Sequence, residues 1–382
     1  MKIAAWFIGA FIAALTLFML FTAGWERPPI DSEQTGYRGT GMADIINPRT
    51  EAALESSQVA PQAATPLPPA AGPRAGDIYQ NVQVLGDLSV ARFTRLMQAI
   101  TEWVSPDQGC VYCHNLENLA EDSVYTKVVA RRMLQMTQEI NGQWGDHVQE
   151  TGVTCYTCHR GQNVPQYGWF NADPDAAPVG GLAGWRNGQN RASPEVGLTS
   201  LPEDPFTRYI DGNDNIRVIG DKALPNSAST ASIQMTEGTY ALMIHMSEAL
   251  GVNCTYCHNS RGFAVWNEST PQRATSWYGL EMARALNTEY VSPLSDVLPS
   301  DRLGATGEGL KINCTTCHQG VNKPLYGASM VGDYPSLRAS SAAGESMASD
   351  SGDDDSSSGA IQVAAGNTAP ESAAPMQDVM PE

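Results

Sequence analysis

The pattern Cys-x-x-Cys-His occurs four times in this chain and limits its fold more than any other feature. The copies are Cys110-Val111-Tyr112-Cys113-His114, Cys155-Tyr156-Thr157-Cys158-His159, Cys254-Thr255-Tyr256-Cys257-His258 and Cys314-Thr315-Thr316-Cys317-His318. Together they use all eight cysteines and four of the six histidines. This pattern is the attachment signal for c-type haem. The two thiols add to the porphyrin vinyl groups as thioethers, and the adjacent imidazole turns onto the iron as proximal ligand. A bare Cys-x-x-Cys also fits a structural zinc knuckle or a redox dithiol. A redox pair has no need of a following His each time, and a zinc site would gather two pairs into one cage. Four pairs, each followed by His and with no cysteine left over, point to four covalently attached haem c groups.

Each haem is a large apolar plate, so the chain folds around cofactors and needs less regular structure of its own. The fold class that follows is mainly α with extensive loops. The formal charge of -18, made more negative by haem propionates, excludes nucleic acid as a partner and favours a basic soluble protein.

The residues outside the motifs divide the chain. After Lys2, positions 3–23 are uncharged and mostly apolar. A cleaved secretory signal is one reading, yet its apolar region is usually about 7–15 residues, whereas this run meets the roughly 20 that span a bilayer. The run therefore reads as an uncleaved transmembrane anchor over residues 1–25, Lys2 cytoplasmic and Trp25 at the outer interface. Residues 26–80 read as an extended arm followed by an Ala/Pro-rich linker or surface wrap. Residues 81–335 form the tetrahaem domain. Residues 336–382 read as a disordered acidic tail, with eight acidic and no basic residues from Glu345 onwards.

The tetrahaem region repeats internally. Cys-Tyr-Thr-Cys-His159-Arg-Gly-Gln-Asn163-Val-Pro165-Gln-Tyr167-Gly168 matches Cys-Thr-Thr-Cys-His318-Gln-Gly-Val-Asn322-Lys-Pro324-Leu-Tyr326-Gly327. Cys-Val-Tyr-Cys-His114-Asn115 likewise matches Cys-Thr-Tyr-Cys-His258-Asn259. The region is thus two pseudo-symmetric haem pairs, about 86–168 and 236–327, joined by a Gly-, Pro- and Asn-rich connection over 170–232 with little regular structure.

What binds the far side of each iron decides the chemistry, because a Met opposite His raises the potential and a vacant position admits substrate. Before the first motif, Phe93, Leu96, Met97, Ile100 and Val104 fall on one helical face, after a possible cap at Asp87 or Ser89. Met133-Leu134-Gln135-Met136-Thr137 precedes the second motif and Met243-Ile244-His245-Met246-Ser247 the third. In a shared register Met97, Met133 and Met243 form one column, the candidate distal ligands, and Ile100, Met136 and Met246 a second. A Met on an apolar face is more often core filling, but each of these helices is tied by a short loop to a haem. The fourth motif lacks this arrangement. Met282 fits the column but stands 32 residues before Cys314, and His147 is unassigned in the loop after the second helix. The residues leave these two open; His245, two positions past Met243, points away from the third haem.

The quartet, the Met column, the Gln34-Thr35-Gly36-Tyr37-Arg38-Gly39 arm and the Trp277-Tyr278-Gly279-Leu280-Glu281-Met282 stretch resemble the tetrahaem cytochrome subunit of bacterial photosynthetic reaction centres, from about Ala23 to Gly332. The resemblance implies three Met/His haems and one His/His haem, with the distal His where His147 lies. It further implies a near-linear haem array on the L and M subunits, the third-motif haem nearest the bacteriochlorophyll special pair and the first farthest out. Electrons would come from a soluble periplasmic cytochrome c or high-potential iron-sulfur protein. The chain would act as an electron carrier, not an enzyme, with the arm along the reaction-centre surface and its bulk on the periplasmic side of the photosynthetic inner membrane. Glu102, Asp107, Glu117, Glu121 and Asp122 flank the first motif and would either steer a basic donor or form an ordinary solvated face. One departure is that Ala23-Gly24 is followed by Trp25 where many members carry a lipidated cysteine, which makes the apolar run the functional substitute. Two rivals are a membrane-anchored quinol dehydrogenase, for which two spare histidines are too few, and a multihaem reductase with one open haem.

Overall fold

The computed structural model describes residues 2–22, 29–36, 41–173, 193–216 and 232–338. The apolar N-terminal run is a single helix, α1 (Lys2–Thr22), with every described side chain exposed. Among the described residues no helix is long and apolar enough to cross a membrane. Trp25 and the Tyr37-Arg38-Gly39 part of the arm lie outside the described residues.

The arm is folded rather than extended throughout. β1 (Asp31–Gln34) and β2 (Ala43–Ile46) pair antiparallel, from Asp31 opposite Ile46 to Gln34 opposite Ala43. Asn47 then caps α2 (Pro48–Glu55), accepting from the Arg49 N–H with Pro48 in the first turn. The Ala/Pro-rich residues beyond are a fixed surface wrap. Pro68, Pro69 and Thr65 offer carbonyls with no secondary-structure partner, and these accept from Arg92 Nε, Ser89 Oγ and Arg95 Nε at 2.8, 3.0 and 2.9 Å. Gln58, buried to 3% exposure, donates to Gln319 O and accepts from Leu325 N–H. A short turn, α3 (Ala75–Ile78), returns the chain to the body.

Ser89 caps α4 (Val90–Val104) by accepting from Arg92 N–H. Its buried face is Leu96, Ala99 and Trp103, with Phe93, Met97, Ile100 and Val104 half-buried beside it. Then come α5 (Tyr125–Gln143), the single turn α6 (Gly145–Val148) and α7 (Cys155–His159), which is the second motif itself. The second half repeats the order with α8 (Ile233–Leu250), α9 (Cys254–Cys257), α10 (Pro271–Leu286) and α11 (Cys314–His318).

Three separate apolar clusters lie among the described residues, around Leu96 and Trp103, around Phe206 and Leu242, and around Met136 and Met282. The 170–232 connection contributes more than the sequence reading allowed. Val196, Phe206, Tyr209 and Ile210 are all buried, because the few large apolar side chains of this polar stretch pack against α8 and α10. The body also runs past residue 335, since Leu337 is fully buried. The acidic tail from 339 on, including Asp353-Asp354-Asp355, and residues 174–192 and 217–231 lie outside the described residues.

Gly251 ends α8 at φ +65°, where a Cβ would meet the Gly320 carbonyl oxygen at 2.1 Å. Gly251→Ala combines left-handed strain with a backbone clash, so a loss of at least about 2 kcal/mol is expected. A fall in the urea midpoint of the haem-loaded protein measures it; an unchanged midpoint contradicts the close approach.

Candidate functional site

The four motifs fall into two kinds by their hydrogen bonds. In the first and third, the His donates to a carbonyl five residues on: His114 Nδ1 to Leu119 O at 3.1 Å and His258 Nδ1 to Phe263 O at 2.9 Å. The following Asn ties the loop, as Asn115 accepts from Glu117 N–H and Asn259 from Arg261 N–H. Thr126 donates to Tyr112 O and Thr270 to Tyr256 O, each across 14 residues. In the second and fourth, Thr154–Thr157 and Asn313–Thr316 form capping boxes. There the His partner is three residues on, Gln162 O at 2.9 Å for His159 and Val321 O at 3.0 Å for His318. Cys158 Sγ and Cys317 Sγ approach to 3.0 Å, so the second and fourth motifs meet back to back.

These bonds suit a metal-bound imidazole. A ligating His almost always donates its other ring N–H to a carbonyl or carboxylate, which fixes the tautomer. With Nδ1 donating, each motif His keeps its Nε2 lone pair for iron. Burial pushes His159, His258 and His318 below the ordinary histidine range, His318 to about 4 with His147 adding to the effect, so the neutral, ligating form prevails. The dithiol and zinc readings fare worse. Burial pushes the Cys155 and Cys314 thiols up to about 12, away from a reactive thiolate, while the hydrogen bond from Cys158 lowers Cys317. Among the described residues no three or more His, Cys, Asp or Glu are grouped to hold a metal ion. The donor set therefore fits haem c, two thiols and one imidazole per site.

On the candidate distal side, Met97, Met133 and Met243 are all half-buried, whereas the second column is mixed, with Met136 buried and Ile100 and Met246 half-buried. Their helices share local bonds. Thr101 Oγ1 donates to Met97 O and Thr137 Oγ1 to Met133 O. Gly161 N–H donates to Trp103 O, and Gly320 N–H to Ala249 O; Trp103 and Ala249 stand at the same offset from Met97 and Met243. The pairing thus matches the register read from sequence.

His147 and Met282, left open by the residues, part company in the structure. His147 Nδ1 donates to Thr275 O at 2.9 Å, and its ring centroid lies 5.9 Å from that of His318. Two imidazoles sharing one iron would have centroids about 6 Å apart, given metal–nitrogen bonds of about 2 Å. Met282 is instead buried with Met136, Ile140 and Leu286. It does not belong to the Met97 column. Asn141 exchanges two bonds with the Val153 backbone, and Asn287 two with Ile312, each partner two residues before its motif. Aligned on these asparagines, Met282 matches Met136, Leu286 matches Ile140, and the position matching Met133 is Gly279. Sequence reasoning missed this register because more residues separate Asn287 from Cys314 than Asn141 from Cys155. His245 is no loose spare: it is buried, donates from Nδ1 to Glu195 O at 3.0 Å and meets Phe206 edge-on.

The acidic set near the first motif is partly consumed internally. The Arg131 guanidinium holds Asp122 down at about 2, with Lys127 assisting, and Glu121 accepts from Asn115 and Ser123. The folded arm docks on the third motif, where Asn253 bonds Ala43 O and Ile45 N–H at 3.0 and 2.9 Å and Thr255 donates to Ala43 O at 2.8 Å. Removing the first two bonds in Asn253→Ala, at about 1 kcal/mol each, should raise the open population of the arm roughly thirtyfold. Faster protease cleavage between residues 31 and 46 of the intact complex is the readout; an unchanged rate refutes the docking.

The chain matches the family model for the photosynthetic reaction centre cytochrome C subunit over residues 26–338. It is 57% identical over 329 residues to the photosynthetic reaction center cytochrome c subunit of Rubrivivax gelatinosus, covering 85% of this chain and 88% of that one. The subunit of the same name from Thermochromatium tepidum is 47% identical over 337 residues, 88% of this chain and 82% of that one. Cytochrome c-554 of Chloroflexus aurantiacus is 29% identical over 293 residues, covering 64% and 69%.

Proposed function

This chain belongs to the family of photosynthetic reaction centre cytochrome c subunits, and on that premise we propose that it relays electrons through four haem c groups to the photo-oxidised bacteriochlorophyll special pair. Electron transfer in the reaction centre is its function. The eight motif cysteines would hold the haems, with His114, His159, His258 and His318 as proximal ligands and Met97, Met133, Met243 and His147 on the distal sides. The haems supply one-electron chemistry. The protein's part is to fix each imidazole through a backbone carbonyl, exclude water and set the potentials. The observation that carries the reading is the pairing of His147 with His318 at 5.9 Å in a chain whose three other motifs each follow a helix bearing a half-buried Met. One His/His haem among three Met/His haems would be the low-potential member.

The recurrent bonds of the first and third motifs, and of the second and fourth, support two haem pairs about a local two-fold. The arm on the third motif supports that end as the one against the L and M subunits. The first motif would then face a soluble periplasmic cytochrome c or high-potential iron-sulfur protein. With Asp122 and Glu121 engaged internally, Glu102, Asp107 and Glu117 are the candidates left for steering a basic donor. α1, uncharged after Lys2, would anchor the chain in the photosynthetic membrane with the haems outside.

Flash-induced absorbance changes in membranes, poised with the Met/His haems reduced, test this reading. Haem oxidation in step with special-pair re-reduction is the expected result. No light-driven haem response would instead indicate a membrane electron carrier unrelated to light.

A further inference from the structure

We infer that Gly279 is a positioning residue for the fourth haem: it is the Met position of the repeat with its side chain deleted, and the space so freed receives the His147 ring. The inference rests on reading His147 and Met133 as distal ligands. α5 and α10 occupy equivalent places in the two halves, each joined to its motif by an asparagine that exchanges two bonds with the backbone two residues before the first cysteine. Met136 and Ile140 of α5 pack with Met282 and Leu286 of α10 in one cluster. In that register Leu134 corresponds to Leu280, and Met133 to Gly279.

A Cβ on Gly279 would lie 2.4 Å from His147 Cε1, 2.7 Å from Nδ1 and 3.0 Å from Nε2. The imidazole therefore rests on the bare backbone of α10. Its Nδ1–H reaches the Thr275 carbonyl one turn earlier at 2.9 Å. In an α-helix that carbonyl also accepts from the residue four positions on, which is Gly279. One helical turn thus supplies both the floor under the ring and the acceptor that orients it. The ring enters from α6 in the other half of the molecule. A Met at 279 would place its own thioether at this haem and shut His147 out. The low-potential site would follow from a single deletion of side chain in an otherwise repeated frame.

The test uses the haem-loaded protein, with ferric spin state and the Met-to-iron charge-transfer absorbance as readouts. His147→Ala should turn one haem in four high-spin. Adding Gly279→Met to that variant should restore the low-spin state, with charge-transfer absorbance about a third above wild type, as four Met/His haems replace three. Gly279→Ala alone should weaken ligation at the same haem although it favours the helix by about 1 kcal/mol, and Gly145→Ala, where a Cβ meets open space, should not. If His147→Ala changes the fourth haem but Gly279→Ala leaves it intact and Gly279→Met rescues nothing, the positioning role is overturned and the ligand reading stands. If His147→Ala changes no haem, the ligand reading itself fails.

Discussion

Replacing all eight motif cysteines by serine should leave a chain without a cooperative unfolding transition, even though every helix retains its sequence. The polypeptide's own apolar interior is divided among three clusters, and each is small for a chain of 382 residues. Many large side chains beside the motifs, such as Val111, Leu116, Phe263 and Trp266, are exposed. A haem has several times the area of one aromatic side chain, itself about 150–250 Å². At about 25 cal/mol per Å² the burial of each is worth roughly 10 kcal/mol gross. Net domain stability is only about 5–15 kcal/mol, so the loss of even one haem removes a contribution of the same size as the whole. Limited proteolysis of membranes containing the serine variant should show rapid cleavage throughout 75–338, where the wild-type body resists. A variant that resists as well as wild type would mean that the three clusters suffice alone.

The same division explains what could be read from the chain beforehand. The attachment motifs, the two-fold repeat and the Met97, Met133 and Met243 column lie within short, regular stretches, where helical spacing fixes which residues share a face. The Ser89 cap was legible for the same reason. What the residues could not settle was the fourth distal ligand. Met282 fits the column by pattern yet stands 32 residues before Cys314, because the segment between Asn287 and the motif is longer than its counterpart after Asn141. Only the backbone pairs made by the two asparagines expose the true register, with Gly279 in the column and Met282 in the core. An absent side chain leaves no signal in a hydrophobic pattern. The wrap over 59–73 was legible only as one of two alternatives, beside a loose linker. Its composition suits a linker, and its fixed path comes from Arg92 and Arg95, whose guanidinium groups take up the proline-segment carbonyls.

Met243→His should convert the third haem to His/His ligation and lower its potential on the order of 100 mV, within the roughly 0.8 V that axial ligands span. Met243 stands on the half-buried edge of α8, and that helix is locked to the fourth motif through the Gly320 N–H to Ala249 O bond at 2.8 Å. The substitution therefore acts at a fixed backbone position. A redox titration should resolve two low-potential haems in place of one, with the two remaining Met/His haems unmoved. Under a poise that reduces only the Met/His haems, the third haem would start oxidised, and fast re-reduction of the special pair after a flash should be lost. Lowering the poise until the third haem is reduced should bring it back. That recovery separates a change of potential from damage to the docking surface, which no poise would repair. An unshifted titration would mean that Met243 does not face the iron and that α8 serves the third haem only as packing.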